Sequence, residues 1–499
     1  MKIFVEKSQS KPKVGERTIV IPLFEDQDRK GGVFEWSSIG EEISEILHEK
    51  EFLGKKGEVL ILPKKKSKGR TVLVGLGKSE HFQLEVWKRS LGKGVRFLQE
   101  RKILQFSIFL PGKIEEKLGV SDALRWSTEV LFTASYQFQE YLTNKDRVFE
   151  NLKEITFLVE GERVKKEDEA QVKEGSVLGE AINRTRHLGN LPAIQMTPAY
   201  LAEEAKKLAK KYPKLKVKIF GQEQIRKEGM GGLLGVSSGS AAEPKFIILE
   251  WMNAPKAAGV RVFAGKSITF DSGGLSIKPA SKMDEMKFDM LGGGAVLGAM
   301  RAIAELKLKV NVVGLLPATE NLSGSGAYRP GDILRAKNGK TIEVLNTDAE
   351  GRVVLADALS YAEKYKPKVV LDLATLTGAC MVALGGNYAG LFGRNEDVLA
   401  EVKEAANRAG EKVWPLPIDD DFVQEVTSPI ADVRNLGEGP GGGASTAAAF
   451  LEAFTNYPWA HLDIAGVAWG SGKPYIRAGA TGFGVSLLVE LAKKWEKQA

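Results

Sequence analysis

The sequence predicts an α/β protein of two domains, each a mostly parallel sheet flanked by helices, joined by a linker helix. Three observations carry this reading. The chain has 499 residues, more than one hydrophobic core usually serves. Strand-like and helix-like apolar runs alternate along it, the rhythm of βαβ connections. The strands of the second half are near-continuous apolar runs, as expected of a parallel sheet covered on both faces. Composition agrees: 43% apolar and 27% charged residues are ordinary for a globular protein and argue against a disordered or fibrous one.

In the first domain, 1–165, the runs Thr18–Leu23, Val59–Leu62, Thr71–Leu76, Gln105–Leu110 and Glu154–Val159 read as strands, and Trp87–Gln99 and Ala123–Tyr141 as helices. A charged break at Gly161–Asp168 precedes apolar residues at helical spacing (Val172, Val177, Leu178, Ala181, Ile182, Leu188), which make 166–190 the linker helix. Thr197 is then an N-cap with Pro198 in the first turn, opening a helix through Tyr212. In the second domain, 191–499, Lys216–Phe220, Phe246–Trp251, Val260–Ala264, Val310–Leu316 and Val369–Leu373 read as strands. Ala295–Leu306 and Gly351–Tyr365 are the helices between them. Ligands of such sheets sit beyond the carboxyl ends of the strands.

One cysteine, Cys380, excludes a disulfide framework within the chain. Its small, apolar neighbours favour a buried, inert thiol over a catalytic one. The first residues lack the apolar core of a secretory signal, and no run is long and apolar enough to span a membrane, so a cytoplasmic protein is expected. The net charge is +7, and residues 1–150 hold 27 Lys and Arg against 22 Asp and Glu. The cluster Lys64, Lys65, Lys66, Lys68 and Arg70 reads as a solvated turn between two strands. Binding of nucleic acid through this basic region is the alternative from a different functional class.

Three segments carry candidate chemistry: AGKSITFDSGGLSIKPA at Ala264–Ala280, MDEMKFDMLGGG at Met283–Gly294 and EVLNTDAEGRVVLADAL at Glu343–Leu359. Asp348 and Glu350 lie two apart, on one face of an extended segment beside a helix start. Alone, such a pair is more often a solvated turn. Buried, it needs a positive partner, and a divalent metal supplies one. Asp271 and Asp289 add two more carboxylates near strand ends, a set suited to two metals about 3.5–4 Å apart. Oxygen ligands fit Mn²⁺, Mg²⁺ or Zn²⁺. Histidine is scarce, with four in the chain, so any metal chemistry rests on carboxylates, with a lysine amine from Lys266 or Lys278. Arg352 is placed to hold an anion. His461 reads as a satisfied structural histidine, and Gly437–Ser445 as a flexible loop rather than a phosphate cradle.

Taken together, GKSITFDSGGLSIKP, DMLGGGAV, AYRPGDI, NTDAEGR, LATLTGA and HLDIAG resemble, in order, the motifs of the leucyl (cytosol) aminopeptidase family, over about residues 180–490. The resemblance implies an exopeptidase that releases leucine and other bulky apolar residues from peptide N-termini by attack of metal-activated water. It implies Lys266, Asp271, Asp289 and Glu350 as ligands of one ion (Mn²⁺ or Zn²⁺). Asp271, Asp348 and Glu350 would hold the other. It makes Lys278 the catalytic lysine that polarises the scissile carbonyl, and Arg352 the holder of a bicarbonate general base. Thr375, Leu376 and Gly378 would line the substrate cleft, and the assembly would be a homohexamer. Ser267 stands where many members have glycine or alanine, and Gly293-Gly294 where alanines are frequent; neither is a ligand position.

Overall fold

The computed structural model describes residues 1–7, 17–26, 43, 45–62, 69–159, 165–439 and 441–498. Lys64, Lys65, Lys66 and Lys68 lie outside the described residues, and Arg70 within them. The chain forms two compact units, Met1–Asn183 with Ser471–Ala478, and Arg184–Gly470 with Gly479–Ala499. The division falls inside one continuous helix, Lys166–Asn190.

The first unit is built on β1 (Lys2–Lys7), β2 (Thr18–Leu23), β3 (Val59–Ile61), β4 (Thr71–Gly75), β5 (Gln105–Leu110) and β6 (Glu154–Val159), in the order β1-β6-β5-β2-β4-β3. Only the edge pair β3–β4 is antiparallel. Trp87, Leu91 and Leu98 from the helix Leu84–Glu100 pack with Leu124 and Leu131 from Val120–Ser135 against Val72, Val74, Phe106, Ile108 and Phe157. The second helix stops at Ser135, short of the expected Tyr141; Tyr136 is extended and closes it. β1, KIFVEK, was not expected from the sequence. It carries charges at both ends and is mostly exposed, as an edge strand tolerates, and its pairing partner lies some 150 residues away.

The second unit contains β7 (Leu215–Phe220), β8 (Lys245–Met252), β9 (Arg261–Gly265), β10 (Ser267–Asp271), β11 (Asn311–Asn321), β12 (Ile333–Arg335), β13 (Thr341–Glu343), β14 (Val369–Ala374), β15 (Ala389–Phe392), β16 (Val413–Pro415), β17 (Val433–Arg434) and β18 (Trp459–Asp463). The main sheet runs β16-β15-β18-β14-β9-β11-β8-β7, with β10 paired to β11. β9, β10, β11, β14 and β18 are mutually parallel, and β7, β8 and β15 pair antiparallel towards the edges. β12, β13 and β17 form a small separate sheet.

Thr197 does cap the next helix, its hydroxyl accepting from Tyr200 N, and Pro198 begins it. The helix Leu291–Leu306 lies against β9, and its glycines permit the approach. Gly293 N donates to Lys266 O at 2.7 Å. A Cβ at Gly293 would fall on Ser267 Oγ, so the hydroxymethyl of Ser267 occupies the space that an alanine at 293 would need. No helix among the described residues is long and apolar enough to cross a membrane.

Candidate metal centre

The parallel strands deliver their polar ends to one place. β10 ends at Asp271, which pairs in register with Asn321 at the end of β11. Gly273 and Gly274 follow with φ of +88° and +63°, turning the chain back so that Gly273 N donates to Asp271 Oδ1 at 2.9 Å. Asn321 Nδ2 donates to the same oxygen at 2.8 Å. Lys278, returning from the turn, places Nζ 2.8 Å from Asp271 Oδ2 and against Asp348 Oδ1.

Lys266 leaves the end of β9 fully buried. Its Nζ lies 2.9 Å from Asp289 Oδ1, 2.8 Å from Glu350 Oε1 and 2.9 Å from Thr375 O. Thr375, just past β14, also donates its hydroxyl to Asp289 Oδ1 at 2.7 Å. A Cβ at Gly351 would sit 2.6 Å from Lys266 Nζ and Cε. The glycine of NTDAEGR is therefore what lets the lysine pass the helix start.

Asp348 and Glu350 do share one site, but not as neighbours on an extended segment. Asn346 Oδ1 accepts from Asp348 N at 2.7 Å and bends the chain into a turn, after which Glu350 opens the helix Glu350–Ala362. A carboxylate there also meets the positive end of the helix dipole. Asn435 clamps this turn: its side chain accepts from Leu345 N at 2.8 Å and donates to Asn346 O at 2.7 Å. Its backbone oxygen accepts from Arg352 Nη1 at 2.9 Å.

Asp271, Asp348 and Glu350 each bring a carboxylate oxygen within 4.8 Å of the others. Burial pushes the Glu350 carboxyl up to about 7, reinforced by the charge of Asp271. Burial likewise raises Asp289 and Asp348. Burial pulls the Lys266 ammonium down, but Asp289, Glu350 and Asp271 outweigh it and hold it above the usual lysine range. Lys278 is raised in the same way, by Asp271 and Glu350 against burial. The two ammonium groups thus act as the cations of a strongly acidic cluster. Asp289 Oδ2 and Glu350 Oε2 are nonetheless buried with no hydrogen-bond partner among the described residues. Buried carboxylate oxygens without donors are what a hard divalent cation satisfies, so these residues fit a metal.

A family model described as cytosol aminopeptidase family, catalytic domain, matches residues 183–489, and the N-terminal domain of the same family matches 20–145. The chain belongs to the cytosol aminopeptidase family. It is a metallo-aminopeptidase, a hydrolase. The chain is 42% identical to a probable cytosol aminopeptidase of Burkholderia multivorans, over 95% of this chain and 93% of that one. It is also 42% identical to that of Bdellovibrio bacteriovorus, over 92% and 93%. Among solved structures, the bottromycin maturation enzyme BotP aligns with a TM-score of 0.82 at 30% identity, covering 96% of this chain and all of that one. The same enzyme in complex with Mn aligns equally well, covering 97% of this chain.

In this aminopeptidase the segment Thr375–Gly378 follows β14 directly beside the cluster. Thr375 touches Asp289 and Lys266, Leu376 is half-buried, and Gly378 is exposed at the start of a short helix capped by Thr377. Asp463 secures it from β18, accepting from Leu376 N at 3.1 Å and Thr377 Oγ1 at 2.6 Å. Arg352 is buried, its Nε has no partner among the described residues, and burial lowers it to about 10. His461 is buried and pairs with Asp372 rather than with the metal-site carboxylates, its Nδ1 2.6 Å from Asp372 Oδ1 and its ring stacked on Trp459. Cys380 is buried, and burial pushes its thiol up to about 12. Of Gly437–Ser445, expected as a loop, Gly443, Ala444 and Ser445 instead open the helix Gly443–Glu452, with Gly442 left-handed at its N-cap. Sequence reasoning passed over Asn321, Asn435, Thr347 and Asp463. Their one available signal was position: Thr347 and Asp463 stand inside the motifs NTDAEGR and HLDIAG, Asn435 two residues before Gly437, and Asn321 five residues beyond the expected strand Val310–Leu316.

Proposed function

We propose that this aminopeptidase works with two divalent ions, and that it releases leucine and other bulky apolar residues from peptide N-termini, with 191–499 as the catalytic domain. The observation that carries the reading is the pair of acidic groups sharing Glu350: Asp271 and Asp348 on one side, Asp289 with Lys266 on the other. Asp271, Asp348 and Glu350 would hold one ion; Lys266 as the free amine, Asp271, Asp289 and Glu350 would hold the other. Mn²⁺ and Zn²⁺ both suit this donor set. When bound, the ions lower the pKa of water into the neutral range and polarise carbonyl oxygen.

The protein's own groups do the rest. Lys278 is half-buried at the rim of the cluster, where its ammonium faces the oxyanion that develops from the scissile carbonyl. The unpartnered Nε of Arg352 offers a buried donor to a bicarbonate, the proposed general base. Thr375, Leu376 and Gly378 line the cleft and orient the substrate. An acidic centre selects the protonated or metal-bound amine of a chain terminus, which an internal peptide lacks. We also read the family membership as a homohexamer, which light scattering tests. Purified protein preincubated with Mn²⁺ is expected to release leucine from a leucyl chromogenic amide; no release under those conditions refutes the reading.

A further inference from the structure

Asn321 closes the longest strand of the main sheet and is completely buried. Its Nδ2 has two protons, and both are used: one on Asp271 Oδ1 at 2.8 Å, the other on Thr347 O at 2.9 Å. Its backbone oxygen accepts from Ser272 N at 3.0 Å and Ser272 Oγ at 2.9 Å. One residue therefore grips both the Asp271 turn and the residue before Asp348. The orientation of the amide is fixed by chemistry, since the reverse flip would set an oxygen against two acceptors. That orientation leaves Asn321 Oδ1 buried with no partner among the described residues. A side chain kept only to fill space would not carry that penalty.

We propose that Asn321 is a positioning residue of the metal centre. It orients the Asp271 carboxylate and fixes its distance from the Thr347–Glu350 segment, and thereby sets the affinity for divalent cations. Lys278 also joins Asp271 to Asp348, and Thr347 Oγ1 donates to Gly273 O at 2.6 Å; Asn321 adds a neutral amide that donates to both the Asp271 carboxylate and the Thr347 backbone oxygen. The inference rests on the two-metal reading above. Partners that orient a ligand typically change metal affinity or activity 10–100-fold when removed.

The test uses full-length, metal-stripped wild-type protein and the variants N321A and N321D, with Mn²⁺ affinity read by calorimetric titration at pH 8. N321A is expected to weaken Mn²⁺ binding about 10–100-fold. N321D keeps the volume but replaces the donor with an acceptor, so it is expected to bind at least as weakly as N321A. Activity lost in N321A should return as Mn²⁺ is raised, with KM near that of the wild type. If N321D binds like wild type, or if both variants do, the proposal is overturned: the residue then only fills space or does nothing. If N321A does not fold, the isosteric N321D still decides. Wild-type protein that binds no Mn²⁺ overturns the two-metal reading itself, which separates the two failures.

Discussion

Lys266→Met separates the two cations that can occupy the centre. In the metal-free protein the lysine sits between two buried carboxylates, at 2.9 Å and 2.8 Å. Removing one partner of a buried charge pair costs about 3–5 kcal/mol, because the other charge is left uncompensated. For a unit of about 300 residues, an unfolding entropy near 2.1 cal/mol/K per residue converts this to a fall of about 5–8 °C in Tm. The loss depends on pH, with a definite sign. Glu350 is already raised to about 7 by burial and by Asp271, and Asp289 is raised too. Without the ammonium both rise further above their unfolded values. A carboxyl raised on folding is most favourable while protonated, so stability falls as pH climbs from the unfolded value through the folded one. The variant should therefore lie close to wild type at pH 5 and fall progressively behind it as pH rises past 7. Scanning calorimetry of chelator-treated protein at pH 5 and pH 8 measures this. An equal Tm at pH 8, or a larger deficit at pH 5 than at pH 8, would refute the electrostatic account.

Three further outcomes follow from the same geometry. If Lys266 ligates as the free amine, each ion bound near it expels one proton that its raised pKa otherwise retains, so Mn²⁺ affinity should rise about tenfold per pH unit between 7 and 8.5. Below 7 the slope should steepen as Glu350 also gives up a proton; calorimetry in buffers of different ionisation enthalpy reads the proton count, and a flat profile contradicts it. Lys278→Ala should lower kcat about 10²–10³-fold with a smaller change in KM, as for loss of an oxyanion donor, and unchanged turnover would remove Lys278 from the mechanism. Iodoacetamide at pH 8 should leave native Cys380 unmodified and activity intact, with labelling only after denaturation, since the thiol is buried and raised to about 12; mass spectrometry of the intact chain checks it.

Much of the fold was legible because buried parallel strands are written locally as apolar runs. β5 and β6 fall on their expected residues, β14 contains its own, and β9 and β11 each begin one residue later than expected. β1 was not legible, because its partner is far off in sequence and its own residues are half charged. The acidic residues of the centre were legible as a set of motifs; what joins them was not. Thr375 donates to Asp289 across 86 positions and Asn321 to Asp271 across 50. Such bonds leave no periodicity, and a threonine or asparagine after a strand looks like any turn residue. The bend at Asp348 was also missed, since Asn346 turns the chain through a side-chain bond that spacing alone does not reveal.

The contact of Ser267 with Gly293 has a consequence for any attempt to re-engineer this molecule. The two residues divide one fixed volume between a strand and a helix, so neither can be altered as an independent site. G293A alone overfills the contact and should cost about 1–3 kcal/mol. S267G alone leaves a gap, whereas the double change returns the volume and should recover most of the loss, a favourable coupling in a double-mutant cycle. Substituting alanine at position 293, as the family resemblance invites, would here do harm unless its counterpart on the strand moved with it. Two positions that look separate in the sequence are, in the fold, one shared volume.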